Sequence, residues 1–200
     1  NLQKRLILAE DGSTIEIEAG RFPLTKGLSL EGKKNITLRG KGMDQTILSF
    51  KGQTQGAEGI RVSNCENIVI EDMTTEDSKG DLIKTMNVKG ITFRRIKAAW
   101  TGGPKSTNGS YGLYPVLCDN VLIDSCIAIG ASDAGIYVGQ SQHIIVRTCE
   151  AYQNVAGIEI ENLAEVEYAE LFEILHRTTP PINAYCLRIL RDRRRTQRFR

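Results

Sequence analysis

Apolar residues in this chain recur at alternate positions in short bursts, and the bursts themselves recur. Val121-Leu122-Ile123 returns as Ile144-Ile145-Val146, Cys126 as Cys149, Ala128 as Ala151, and Ala134-Gly135-Ile136 as Ala156-Gly157-Ile158. The offset is 22 to 23 residues. Period-two alternation inside a period in the twenties predicts strands stacked as a solenoid, each repeat burying its inner face only against its neighbours.

Aligned on that repeat, the chain predicts three strand columns and about five coils. The first column holds Leu28, Ile60, Leu82, Leu113, Ile136 and Ile158, with the register around 80–85 open to a shift of one residue. The second holds Ile36, Ile68, Ile91, Val121 and Ile144, with inward partners Leu38, Ile70, Phe93, Ile123 and Val146 two residues on. The third holds Met73, Ile96, Cys126 and Cys149, followed by Thr75, Ala98, Ala128 and Ala151. The small residues of that last set predict a narrow corner. Asn35, Asn67, Gly90, Asn120 and His143 precede the second strand. Asn and Gly tolerate left-handed backbone and Asn amides bond along a stack, so this column is a turn ladder with His143 as a structural member. For that reason the Asn35 and Asn108 glycosylation sequons are poor acceptor candidates.

Two coils are long. Leu28 to Ile60 spans 32 residues and Leu82 to Leu113 spans 31, with the excess at 51–58 and 99–110. Insertions in a solenoid fall on one side, commonly the binding side, so these loops are expected to flank a groove over the first-strand column. At the start, Leu2, Leu6 and Ala9 share a helical face, which predicts a short helical cap over the open first rung. Residues 1–27 read as cap and first strand, and residues 1–161 as one solenoid domain. After Gly157 glycine disappears, and the closing LRILRDRRRTQRFR carries seven Arg. LAEVEYAELFEILH (163–176) looks helical, with Asn162 and Glu165 placed as a capping box. Residues 162–200 are either a helical C-terminal cap or an atypical, non-native basic tail.

Composition narrows this only a little. A formal charge of +2 gives no case for specific nucleic-acid binding. No apolar run has the ~20 residues of a membrane helix. The chain opens at Asn1 without a signal peptide, as a mature form or a fragment would. The expected state is a monomer or an oligomer of unknown order. The five Cys form no C-x-x-C pair, and neither a metal site nor a cofactor is indicated. Cys126 and Cys149 fall one above the other, and Cys65 and Cys118 share a column two coils apart. They read as stacked apolar thiols, with a Cys126–Cys149 disulfide as the alternative.

DGSTIEIEAGRFPL followed by GKKNITLRGKGMDQTILSF resembles the opening of pectate-lyase-like right-handed parallel β-helix proteins. WTGGPKSTNGSYGLYPV and SDAGIYVGQSQ look closer still to a group of bacterial exported β-helix repeat proteins without an established activity. The resemblance covers about residues 1–161. It implies an all-β, right-handed parallel β-helix and a secreted, periplasmic or cell-surface location. Mannuronan C5-epimerases are distantly similar around Tyr111-Gly112, where their pattern continues x-Asp-Pro-His-Asp. Here Tyr114, Val116 and Leu117 stand in place of the acid, the His and the second acid around Pro115. Val and Leu cannot transfer protons, which argues against that chemistry. The Asp cluster that would hold calcium in a pectate lyase is not evident either.

Beside the first-strand column the outward side chains are Arg61, Tyr114, Tyr137 and Glu159, with Asp81, Lys84 and Asp133 at strand starts or ends. Flat aromatic faces suit sugar rings, and Arg and Lys suit uronate carboxylates. Arg61, Trp100, Lys105, Tyr111, Tyr114 and Tyr137 are the expected substrate contacts; Tyr114, Tyr137, Glu159 and Asp133 are the weaker catalytic candidates. The row also fits an ordinary solvated sheet face. The sequence favours binding to a polysaccharide over catalysis on one, with an acidic-glycan lyase, hydrolase or epimerase, and a structural or partner-docking surface protein, as alternatives.

Overall fold

The computed structural model describes residues 1–161 together with strands at 171–172 and 187–190. One helix, α1 (Leu2–Leu8), precedes the strands β1 (Thr14–Glu16), β2 (Gly20–Pro23), β3 (Lys26–Glu31), β4 (Lys34–Arg39), β5 (Thr46–Ser49), β6 (Gln55–Ser63), β7 (Glu66–Glu76) and β8 (Ile83–Met86). There follow β9 (Lys89–Ala99), β10 (Leu113–Val116), β11 (Asp119–Asp124), β12 (Ile127–Ile129), β13 (Ala134–Gly139), β14 (Gln142–Arg147), β15 (Glu150–Tyr152), β16 (Ala156–Glu161), β17 (Leu171–Phe172) and β18 (Leu187–Leu190). All pairings are parallel and join successive coils. One sheet runs β3-β6-β8-β10-β13-β16-β18. The other runs β1-β4-β7-β9-β11-β14-β17 and takes in β2, β5, β12 and β15. The predicted solenoid is therefore present, with the second and third columns fused into one sheet. The fusion occurs in β7 and β9, which continue around the corner without a break.

The core is the stack of inward columns. Ile36, Ile68, Ile91, Val121 and Ile144 are all buried, as are Leu38, Ile70, Phe93, Ile123 and Val146. Each apolar side chain lies on its own kind one rung away, so the same residue type repeating along a column fills the interior without change of shape. Met73 and Thr75 face Ile96 and Ala98, and Ala98 faces Ala128 and Ala151 in turn, forming the narrow corner expected. Cys126 and Cys149 are buried, adjacent and unbridged, and Cys65 and Cys118 are buried and free as well.

The first-strand column needs one correction. Ile83, not Leu82, pairs with Ile60 and Leu113. Leu82 and Ile83 are both fully buried, so hydrophobicity alone cannot choose between them. The shift turns Lys84 outward, in line with Arg61 and Tyr114.

The turn ladder is observed. Asn35, Asn67, Gly90, Asn120 and His143 have φ of 55°, 53°, 80°, 54° and 49°. Asn67 donates its amide to Asn35 Oδ1 at 3.0 Å. Three further left-handed columns carry no residue type throughout: Asn64, Asn87, Leu117 and Gln140; Asp72, Arg95, Ser125 and Thr148; Asp77, Gly130 and Gln153.

The outer face of the larger sheet has an order of its own. Glu16, Arg39, Glu71, Arg94, Asp124 and Arg147 occupy one position of successive rungs. Lys34, Glu66, Lys89 and Asp119 occupy another. Charge alternates at every step in both rows, so no like charges face each other across adjacent strands.

At the start, α1 closes the first rung with Leu6, which is 1% exposed. At the far end, β17 pairs with β14 and β18 with β16. The helix expected over 163–176 and the character of 162–200 otherwise lie outside the described residues; residues 171–172 are strand. Of the two long coils, the first has little loop. Gln53 bonds Gln55 O and Glu58 O and accepts from Lys79 N, which lets β6 begin at Gln55 and leaves a turn over 51–54. The second keeps a true loop from Trp100 to Gly112.

Candidate functional site

The outward row of the smaller sheet runs Arg61, Lys84, Tyr114, Tyr137 and Glu159, one residue per rung. Each strand supplies it by the same alternation. In β10, Leu113 and Pro115 point in and Tyr114 points out; in β13, Ile136 and Val138 point in and Tyr137 points out. At ~4.8 Å per rung the row is about 19 Å long.

Tyr111 joins this row from the loop. Its ring stacks on Tyr137 with centroids 4.4 Å apart and planes at 20°. It also meets Tyr114 at 4.7 Å and 57°. Tyr114 and Tyr137 meet edge-on at 5.2 Å, and Lys84 Nζ lies 4.8 Å from the Tyr114 ring centre. Offset and edge-on aromatic pairs at these distances are attractive beyond their buried area, and a cation over a ring face adds to that. The result is one contiguous aromatic patch with an ammonium at one edge.

The loop explains how Tyr111 is held there. The sequence places Trp100 in the groove, and the structure does not. Trp100 is 5% exposed, with its indole N–H donating to Ser78 O at 3.0 Å. A large ring with a polar edge is most stable where the ring is buried and the N–H is bonded, so Trp100 anchors the loop rather than contacting a ligand. Asn108, the second sequon residue, donates to Gly103 O at 2.9 Å and Gly130 O at 2.7 Å, closing the loop on the next coil. Gly109 passes so close to Gly80 that a Cβ would overlap the Gly80 carbonyl oxygen. The chain then reaches Tyr111, whose N–H donates to Asp81 Oδ1 at 3.1 Å. Lys105 lies on the exposed loop with its ammonium beside Gly102.

Carboxylates surround the patch. The Tyr111 phenol is pushed well up, first by burial and then by the Asp133 carboxylate that it hydrogen-bonds. Tyr114 is pushed up by burial, then by Asp81 and Glu161. Tyr137 donates its hydroxyl to Glu161. Gly139 makes that reach possible, since a Cβ there would come 2.9 Å from Tyr137 Cε1. Burial likewise pushes the Asp81 carboxyl above its ordinary range, against the pull of Lys84. Asp81 and Lys84 are thus nearer the centre than their position at a strand start implies. Glu161 is absent from the residues that the sequence singles out, although Glu159-Ile160-Glu161 carries the alternation that turns both acids outward.

The arrangement constrains chemistry. Phenols pushed up stay protonated at neutral pH, so they donate hydrogen bonds and do not act as bases. By register Tyr137, not Asp133, faces Glu159, and the Asp133 carboxylate is engaged by the Tyr111 phenol. Val116 and Leu117 occupy the end of β10 and the following corner, with no titratable group at either position. Among the described residues no group of three His, Cys, Asp or Glu converges as a metal site. A shallow recess of about 260 Å³ lies elsewhere, at the corner lined by Lys34, Asn64, Cys65, Glu66, Asn87 and Lys89.

These features define a parallel β-solenoid with an aromatic patch and a charged row on one sheet. Residues 27–171 match the family described as a right handed beta helix region, and the chain belongs to that family. Among solved structures it is similar to the ORF18 protein of Geobacillus virus E2, at 15% identity and TM-score 0.61, covering 81% of this chain. The chain spans 38% of that viral protein. It is also similar to a candidate glycosyl hydrolase from Parabacteroides merdae, at 10% identity and TM-score 0.56, covering 82% of this chain and 80% of the other. At such identities the likeness concerns fold alone. No curated protein matches the chain.

Proposed function

We propose that the outer face of the smaller sheet binds a polysaccharide lying along the solenoid axis, without reaction. One observation carries this reading. Tyr111, Tyr114 and Tyr137 form a continuous patch on the outward row, with centroids 4.4 to 5.2 Å apart. Apolar sugar faces lie on such rings, and the surrounding carboxylates accept hydrogen bonds from sugar hydroxyls. The row covers five rungs, about 19 Å, which matches several sugars rather than one. A glycan ligand is in keeping with the glycosyl hydrolase character ascribed to the Parabacteroides protein. A noncatalytic role is favoured by the absence of proton-transfer groups at Val116 and Leu117. A secreted or cell-surface setting accords with such a ligand.

The test is native electrophoresis of the full chain through gels containing alginate, pectate or neutral glycans, with absorbance at 235 nm followed in parallel for unsaturated products. We expect retardation by at least one glycan, no rise in absorbance, and loss of retardation in Tyr137→Ala. One aromatic stacking contact is worth about 1 kcal/mol or somewhat more, so binding should weaken about five- to tenfold. Depletion of substrate, or growth at 235 nm, would return the protein to the enzymes.

A further inference from the structure

We infer that the groove selects a glycan with an isolated negative charge: one anionic sugar at the Arg61–Lys84 end, followed by uncharged sugars over the tyrosines. The inference rests on the glycan-binding reading above and adds to it the charge pattern of the ligand.

The reason is that charge along the row is not uniform. Arg61 and Lys84 sit on adjacent rungs, and neither is in an ion pair among the described residues. Glu31 feels Arg61, and Asp81 feels Lys84, through charge without an ion pair. Two cations outside any ion pair, carried on strands about 5 Å apart, suit one carboxylate or sulfate. One rung further on the character changes. The aromatic patch is rimmed by Asp81, Asp133 and Glu161, which hold Tyr111 N–H, the Tyr111 phenol and the Tyr137 hydroxyl. A second anionic sugar over the patch would face these three carboxylates with the Lys84 ammonium only at the patch edge, and like-charge juxtaposition at an interface is a strong means of rejection. Neutral sugars meet only rings and acceptors there. A chain charged on every sugar satisfies the first two rungs and is repelled by the next two.

The difference can be read by affinity electrophoresis of the intact chain at low salt in three polymers. These are gellan, with a single uronate in a repeat of otherwise uncharged sugars; the same gellan with its carboxyls reduced; and polygalacturonate, charged on every sugar. Gellan should bind about three- to tenfold tighter than its reduced form, the range for two partly exposed charge contacts, and the preference should fade with added salt. It should also bind tighter than polygalacturonate. Arg61→Gln/Lys84→Gln should abolish the preference, holding gellan and reduced gellan equally. Tyr137→Ala should weaken both. Equal retention of gellan and reduced gellan, or retention of polygalacturonate as tight as gellan, overturns the charge pattern alone. Retention by none of the three, with neutral glycans also failing, overturns the binding reading beneath it.

Discussion

At the residue scale the unusual positions are those with left-handed backbone. Leu117 is the odd member of its column, with φ 53° and 49% of its surface exposed. Its neighbours Asn64 and Asn87 are joined through their amides at 3.3 Å. Left-handed backbone costs an ordinary L residue about 1–2 kcal/mol, and Asn escapes part of this by local hydrogen bonding. Leu117→Asn should therefore stabilise the protein by about 0.5–1 kcal/mol, which is roughly 1–4 °C in Tm for a chain of this size. Thermal melts check it, and a lower Tm would mean that Leu117 makes a contact worth more than its strain. Asp81 gives a second prediction. Its folded pKa lies above the ordinary 3.8 because of burial, so ionising it opposes folding. That opposition is absent below pH 3.8 and grows as pH rises through the folded value. Asp81→Asn keeps an oxygen for the Tyr111 N–H and removes the charge, so Tm should rise at about pH 7 and match wild type at about pH 3. Only one of the four left-handed columns is legible in the sequence. Asn35, Asn67 and Asn120 share a residue type, whereas Asp72, Arg95, Ser125 and Thr148 share only a geometry. The same limit applies at the site: Tyr114 and Tyr137 follow from strand alternation, but Tyr111 depends on a loop path that Trp100, Asn108 and Gly109 set by tertiary contact.

At the scale of elements, alternation does more than sort inside from outside. Within the larger sheet it lines up Glu16, Arg39, Glu71, Arg94, Asp124 and Arg147. The order is invisible until the coils are registered, because its members are 23 to 32 residues apart and each alone reads as a surface charge. Arg39 Nε meets the nearly buried Glu71 at 2.6 Å, and Arg147 meets Asp124 at 2.8 Å. The corner next to this row holds Arg95 on Asp72 through two bonds of 2.5 and 2.8 Å. Hydrogen bonds from Arg95 lower the Asp72 carboxyl, and those from Arg147 lower Asp124. Depressed folded pKa values mean that the stability they supply is present above the ordinary 3.8 and is lost as pH falls through the folded values. Asp72→Asn/Asp124→Asn should then melt lower than wild type at about pH 7 and lose less Tm on acidification below pH 3.8. The guanidinium partners are 46% and 45% exposed, so screening limits the pair to about 1 kcal/mol at neutral pH. Parallel acid titrations of the two melts would show the wild type and the variant converging at low pH; identical slopes would remove these carboxyls from the account of acid stability.

At the scale of the whole molecule the solenoid is one-dimensional: a rung touches only the rungs on either side, so its ends carry a cost that its middle does not. The first rung exposes core side chains and strand-edge groups unless something covers them, and α1 does so. Asn1 caps the helix through its side chain at 3.0 Å from Gln3 N. Gln3 then ties the helix to β3, accepting from Ser29 N at 2.8 Å and donating to Ser29 O at 3.0 Å. Lys33 closes the other side on Ala9 O at 2.8 Å. Leu6 seals the core below. Leu6→Ala should cost about 2–4 kcal/mol, as for other buried leucines, with Gln3→Ala costing about 1 kcal/mol through its lost bonds. The distribution of that loss is the sharper expectation. If neighbours alone couple, amide exchange in β3 and β4 accelerates in Leu6→Ala, while β11, β13 and β14, several rungs away, keep their protection. The tyrosine patch is then insulated from the cap, and glycan retardation of the variant should equal that of wild type at temperatures where it remains folded. Faster exchange spread evenly over all coils would instead show a solenoid that opens only as a single unit, in which any damage to the cap lowers the stability of the site by the same amount.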